Sequence, residues 1–278
     1  MSFTWKINLK NVNIIDMNRL DKELVKRQMV ETRTKAQELI NSGSVVVNGK
    51  VQTKVSFNVE DCDNIEIIDT EVLKYVSRGG FKLEKALDVF KFDVTNKVVM
   101  DIGSSTGGFT DCVLQHGAKK VVAIDVGSNI MHRNLRENSK VELHENTNIK
   151  DLAHDKFLGV DLIVVDVSFV SLEHVIEKVN AENILVNMIC LIKPQFECGK
   201  EIATKYGGVI KSKTVHKNVL NNVINFFNKN NFYLLGLDFS PVKGGDGNVE
   251  YISHFTNKVD KNSSIQIDKI VNTAFNQK

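Results

Sequence analysis

Asp101-Ile-Gly-Ser-Ser-Thr-Gly-Gly-Phe-Thr110, preceded by the apolar run Val98–Val99–Met100 and followed by an amphipathic stretch from Asp111 to Gly117, decides the fold. A hydrophobic strand, a glycine-rich turn and a helix start, in that order, build a nucleotide-type pocket. The spacing is not G-x-G-x-x-G. Gly103 is followed by Gly107–Gly108, and an acid, Asp101, ends the strand. Downstream, apolar runs alternate with helical periodicity, predicting strands near 98–102, 121–125, 141–144, 161–166, 184–192, 232–238 and 249–255. Helices fall near 81–90, 108–117, 171–180 and 213–229. The fold class expected is α/β, a seven-stranded, mostly parallel sheet with helices on both faces. A tail helix, capped by Ser263–Ser264 and carrying Ile267, Ile270, Val271, Ala274 and Phe275 at helical spacing, docks back on the sheet.

Strand-end acids describe the ligand. Val121–Ile124 leads into Asp125, about twenty residues after the glycine turn, where a carboxylate takes both hydroxyls of a ribose. Asp166, in V-V-D-V-S-F, closes the same edge. Asp101 suits a ligand carrying an amine and a sulfonium better than one led by a pyrophosphate. S-adenosylmethionine is therefore expected in place of a dinucleotide.

Composition sets bounds on the rest. The chain has 278 residues, 42% hydrophobic and 25% charged, with a net charge of only +2, so it is an ordinary globular composition and no polycation. No apolar run approaches the ~20 residues of a membrane span, and the first residues lack a signal-peptide layout, so a cytoplasmic protein is expected. Cys62, Cys112, Cys190 and Cys198 form no C-x-x-C pair, and the seven histidines are scattered. Reduced thiols and no metal site are expected.

Charge is uneven along the chain. Residues 17–60 hold eight basic side chains against five acids, and residues 61–73 hold five acids and no base. Helical spacing starts at Arg19 with Leu20, Leu24 and Val25 on one face. A polar break at Glu31–Thr34 offers caps for a second helix over 35–42, which Gly43 stops. Val45–Val46–Val47, the hairpin signal Asn48–Gly49 and a strand over 50–57 follow, with a last strand at 65–68. Residues 1–16 match no motif, and Met17 is a candidate start. These segments, R-L-D-K-E-L-V, T-R-T-K-A-Q-E-L-I-N-S-G-S-V-V-V-N-G-K and K-V-S-F-N-V, resemble the small α+β RNA-binding domain named after ribosomal protein S-four. The resemblance implies RNA contacts at Arg19, Arg33 and Lys35. It gives an RNA-binding domain over 17–68, a connector over 69–76 and a catalytic domain over 77–278.

Four residues outside the glycine turn point to chemistry. Lys82 lies in S-R-G-G-F-K-L, Lys193 follows the apolar run Ile189–Ile192, and Glu250 follows a glycine-rich turn in G-G-D-G-N-V-E-Y. With Asp166 they match, in order and context, the K-D-K-E set of the FtsJ-like ribose 2′-O-methyltransferases. Together with D-I-G-S-S-T-G-G-F-T-D, V-V-D-V-S-F-V-S-L and L-I-K-P-Q-F-E, and with the N-terminal domain, the chain resembles the TlyA family over roughly residues 18–275. That resemblance implies a Rossmann-like methyltransferase domain acting on cytidine 2′-hydroxyls of ribosomal RNA or ribosomal subunits. Its carried-over cofactor contacts are Asp101, Gly103, Ser104, Gly107, Gly108 and Asp125, with Asn146–Thr147–Asn148 near the adenine. Lys193 is expected as the base, Lys82 as its electrostatic partner, and Asp166 and Glu250 as orienting groups. A lysine accepts a proton only if its pKa falls from about 10.4 toward neutrality. A second ammonium and partial burial push it down, and two acids push it back. A monomer is expected. The competing readings are an RNA-binding protein without catalysis and a membrane-active haemolysin, the historical name of the family.

Overall fold

The computed structural model describes residues 18–70, 73–168 and 171–276. The candidate start at Met17 and the unassigned residues before it lie outside the described residues. So do Glu71–Val72 of the expected connector and Phe169–Val170 of the Asp166 motif. The chain divides into two compact units, one ending at Lys74 and the other beginning at Tyr75.

The first unit runs β1 (Asn18–Arg19), α1 (Leu20–Lys26), α2 (Arg33–Asn41), β2 (Val45–Val47), β3 (Lys50–Gln52), β4 (Asn58–Val59) and β5 (Ile65–Ile67). Thr32 caps α2 through the backbone N–H of Lys35. Asn48 and Gly49 both take positive φ (49° and 76°), the type I′ geometry that matches the twist of a two-residue hairpin. The strand expected over 50–57 ends at Gln52, because its partner β2 is only three residues long and pairs Val45 with Gln52. The chain then crosses over, and Asn58–Val59 pairs with Asn18–Arg19 instead. Leu20, Leu24, Ala36, Leu39, Ile40, Val45 and Val59 form the small core.

The second unit runs α3 (Gly79–Phe90), β6 (Val98–Ile102), α4 (Gly108–Gln115), β7 (Lys120–Ile124), α5 (Arg133–Arg136), β8 (Val141–His144), β9 (Leu162–Val165), α6 (Leu172–Ala181), β10 (Asn187–Ile192), α7 (Pro194–Glu197), α8 (Lys200–Lys205), α9 (Lys213–Lys229), β11 (Tyr233–Phe239), β12 (Tyr251–Thr256) and α10 (Ile267–Asn276). Its seven strands lie in the order β11-β12-β10-β9-β6-β7-β8, with β12 antiparallel to both neighbours and the other pairings parallel. The two-residue period of the strands divides the core. Met100, Ile102, Val122, Ile163, Val165 and Met188 face α6, α9 and α10, while Val99, Val121, Ala123, Leu162 and Val164 face α3 and α4. Val271 and Ala274 dock the tail helix into the first of these layers. Ser263–Ser264 does not cap it: α10 starts at Ile267, and the Ser263 N–H donates to Leu234 O at 2.8 Å. Among the described residues no helix is long and apolar enough to cross a membrane.

Candidate active site

Strand order reverses between β6 and β9, the switch point where open α/β sheets bind ligands beyond their carboxyl edge. A cavity of about 560 Å³ opens there. Gly103 and Asp125, two of the expected cofactor contacts, lie on its wall together with Thr147, Asn148, Val126 and Ile130. The carboxylate of Asp125 is fixed by two backbone donors, Ser105 N–H to Oδ2 and Gly127 N–H to Oδ1, each at 2.7 Å. A carboxylate has about four acceptor positions, so two remain for a vicinal diol. Val126 and Ile130, 70% and 41% exposed, give the wall an apolar surface that suits a flat ring. Gly103 has φ +81°, and a Cβ there would stand 2.7 Å from the Asp166 carbonyl oxygen, so only glycine lets β6 and β9 converge this closely.

Four expected cofactor contacts lie off that wall. Asp101 is fully buried on the α3–α4 side, where Thr110 Oγ1 donates to its Oδ2 at 2.6 Å while Oδ1 has no hydrogen-bond partner. Ser104 is buried one residue beyond Gly103. Gly107, the N-cap of α4, packs against Leu135 and Met131. Gly108 abuts Ser77, Gly79 and Gly80, so its missing side chain lets the starts of α3 and α4 approach closely and positions Lys82 in the first turn of α3.

S-adenosylmethionine fits this arrangement. The volume is in the range of small-molecule sites, and Asp125 and Asp166 both lie on the wall, favouring a cationic ligand. Burial pushes the Asp101 carboxyl up to about 7 against the Thr110 hydrogen bond, and the charges of Asp166 and Asp125 add to the rise. An unfolded aspartate titrates near 3.9, so the folded chain holds this proton to higher pH. Stability from this group is therefore full below about pH 4 and is lost as pH rises through about 7. Asp101→Asn removes that dependence. Between pH 4 and 8 its stability should gain roughly 2–4 kcal/mol relative to the parent. Urea midpoints at the two pH values check this, and parallel pH curves would refute it.

The second cluster adjoins the cavity through Asp166. β9, β10 and β12 are neighbours, and β12 is antiparallel, so its start lies at the same edge as the ends of the other two. Asp166 and Lys193 follow β9 and β10 directly, and Glu250 precedes β12. Lys82 Nζ donates to Glu250 Oε2 at 2.6 Å and stands 4.0 Å from Asp166 Oδ2. Lys193 Nζ stands 2.5 Å from Asp166 Oδ1, an ion pair outside aligned hydrogen-bond geometry, and donates to Ser168 Oγ at 2.9 Å. The structure thus brings all four expected residues into one alternating array, Glu250–Lys82–Asp166–Lys193. Lys82, Lys193 and Glu250 are 8%, 7% and 2% exposed, so the charges are held where water screens them poorly.

Two members of the array were not expected. Ser168 holds Lys193, and Gln195 Nε2 donates to Glu250 Oε1 at 3.3 Å. Each lies two residues beyond a charged residue in the motifs quoted above, which is the signal that points to them. Glu197 ends the same segment and accepts from Leu172 N–H (2.9 Å) and Ser171 Oγ (2.8 Å), capping α6.

In the first unit, the expected RNA contacts are tied to acids. Arg19 Nε and Arg33 Nη2 donate to the two oxygens of Asp21 at 3.0 and 2.7 Å, and Gln37 Nε2 joins at 3.2 Å. Lys35 pairs with Glu31 at 2.9 Å. The arginine side chains remain 43% and 52% exposed, with their forks fixed from beneath. Burial pushes the Asp21 carboxyl up, but hydrogen bonds from Arg33, Arg19 and Gln37 outweigh it and hold it well below the ordinary carboxylate range. Its stabilisation is present above about pH 4 and lost as pH falls below. Asp21→Ala leaves both guanidinium groups unanchored and should cost this unit about 1–3 kcal/mol. A thermal destabilisation at pH 7 that shrinks at pH 2 is the expected signature; an equal loss at both would contradict it.

A family model described as FtsJ-like methyltransferase matches residues 75–257, and one described as S4 domain matches residues 18–65. The chain is 42% identical over 240 residues to Hemolysin A of Brachyspira hyodysenteriae, covering 85% of this chain and 99% of that protein. It is 35% identical over 245 residues to the 16S/23S rRNA (cytidine-2′-O)-methyltransferase TlyA of Mycobacterium tuberculosis, covering 87% of this chain and 91% of that one. A solved structure from Streptococcus thermophilus, described as a hemolysin, superposes with a TM-score of 0.72 at 36% identity, covering 94% of this chain and 96% of the other.

Proposed function

The chain belongs to the FtsJ-like family of S-adenosylmethionine-dependent methyltransferases, and from that premise we propose that it methylates cytidine 2′-hydroxyls of ribosomal RNA, as a cytoplasmic monomer. The observation that carries this reading is the buried Glu250–Lys82–Asp166–Lys193 array at the mouth of the cavity. S-adenosylmethionine, when bound, supplies an electrophilic methyl group on a sulfonium. Asp125 and Gly103 hold the nucleoside part, and the carboxylates of Asp125 and Asp166 on the wall favour its positive charge.

Displacement at a methyl group is in-line, so the chain's main task is to aim the ribose oxygen. Lys193 takes the hydroxyl proton. It does so as the neutral amine, and Asp166 and Ser168, which fix its Nζ, hold the ammonium that results. Lys82 balances the two carboxylates, Glu250 holds Lys82, and Gln195 holds Glu250. Asp166 belongs to both the cavity wall and the array, which makes it the link between donor and acceptor. The first unit supplies RNA affinity through Arg19, Arg33 and Lys35.

Unmodified ribosomal RNA incubated with the chain and methyl-labelled S-adenosylmethionine tests the reading. Label is expected on the ribose of cytidines. Label on a base, or none with either ribosomal RNA, would overturn it.

A further inference from the structure

Between the segments carrying Lys193 and Glu250, the chain leaves the sheet edge as an arm over residues 199–211. Its outgoing root is α7, where Cys198 N–H donates to Pro194 O at 3.0 Å, one residue beyond Lys193. Its return root is Asn248, whose Nδ2 donates to Gly208 O at 2.9 Å and whose Oδ1 accepts from Ile210 N–H at 3.1 Å. His216 Nε2 holds Ile210 O at 2.9 Å, and the other ring nitrogen meets Tyr251 Oη at 2.8 Å. Both roots are therefore fixed to the charged array.

Between the roots the arm is lightly packed, with Ala203, Tyr206 and Val209 no more than half-buried. α8 has no buried residue, and a Cβ placed on Gly199, Gly207 or Gly208 would meet no atom within 4 Å. Lys200, Lys205 and Lys211 are exposed and, among the described residues, form no ion pair; the one acid of the arm is Glu201. A helix that fully buries none of its side chains has little packing reason to be held this firmly at a catalytic edge. A cationic arm rooted on both sides of that edge is complementary to a phosphate backbone.

We propose that residues 199–211 are a second RNA-binding element, in which Lys200, Lys205 and Lys211 grip the phosphates flanking the target ribose. The proposal rests on the RNA methyltransferase reading given above. The first unit supplies RNA affinity of its own, and the arm seats the strand over Lys193 and Asp166.

Replacing Lys200, Lys205 and Lys211 together by Gln in the full chain tests this. With a ribosomal RNA transcript, the KM for RNA should rise about tenfold at moderate salt while kcat stays within about twofold. The slope of log KM against log salt should flatten by about 2, the loss of three single-strand phosphate contacts. S-adenosylmethionine affinity, measured by calorimetry, should not change, and the triple Arg variant should restore the parent KM. An unchanged KM and salt slope would overturn the proposal, as would a loss confined to cofactor binding, which would make the arm part of the cofactor site. If the parent chain transfers no methyl to RNA, the catalytic reading fails by itself. Anisotropy of a labelled oligocytidine RNA against salt then judges the arm, and equal slopes for parent and Gln variant would reject it.

Discussion

Lys193→Ala is expected to lower kcat for RNA methylation by about 10²–10⁴-fold, the contribution of a positioned proton acceptor. S-adenosylmethionine affinity should stay within a few fold, because Lys193 is not on the cavity wall while Gly103, Asp125 and Asp166 are. The fold should also survive. Removing Lys193 strips one partner from Asp166, but Lys82 remains 4.0 Å from its other oxygen, and the side chain keeps some exposure to solvent. The loss of an ion-pair partner is costly mainly where the orphaned charge has no second partner.

Alanine alone would not separate a proton acceptor from a charge that merely orients Asp166. Lys193→Arg does. A guanidinium keeps the positive charge and reaches the carboxylate but does not give up its proton. If Lys193 takes the hydroxyl proton, the Arg variant is as slow as the Ala variant. Recovery to within tenfold of the parent would show that charge suffices and would remove the base role.

Residue patterns carried the architecture of the second unit further than that of the first. Val98–Ile102, Ile189–Ile192 and the 213–229 periodicity are long or strongly apolar, and burial on both faces leaves such segments few alternatives. The 50–57 strand misled because β-propensity is satisfied only where a partner exists, and β2 offers three residues. Ser263–Ser264 had the composition of a cap, yet its backbone went to Leu234 instead. The charged array was visible as four motifs, but its pairing depends on β12 running antiparallel, which no local pattern announces. Asp101 and Asp125 look alike in sequence as acids ending apolar strands. They differ because Asp101 lies within β6, pointing with Val99 toward α3 and α4, while Asp125 lies one residue beyond β7 and is free to turn into the cavity. Asp21, among many surface charges of α1, carried no signal until Arg19, Arg33 and Gln37 were brought around it.

Gly244→Ala is expected to cut kcat by about 10²-fold without touching any reacting atom, the size of effect that follows from misplacing a catalytic group by about an ångström. The backbone at Gly244 lies outside the left-handed region, so alanine itself is not strained there. The added Cβ would instead stand 2.0 Å from Glu250 Oε1 and 2.5 Å from its Cδ. The carboxylate is the flexible party and must swing away, breaking the 2.6 Å contact with Lys82 and the 3.3 Å contact with Gln195. Lys82 then has only Asp166, and its pull on that carboxylate loosens the pairing with Lys193. S-adenosylmethionine binding should be unchanged, since neither Gly244 nor Glu250 lines the cavity. A double-mutant cycle decides whether the carboxylate transmits the effect. In a Glu250→Ala background the methyl of Gly244→Ala has nothing to displace and should cost less than about twofold. Losses that multiply in the double variant would assign the effect to the turn and not to Glu250.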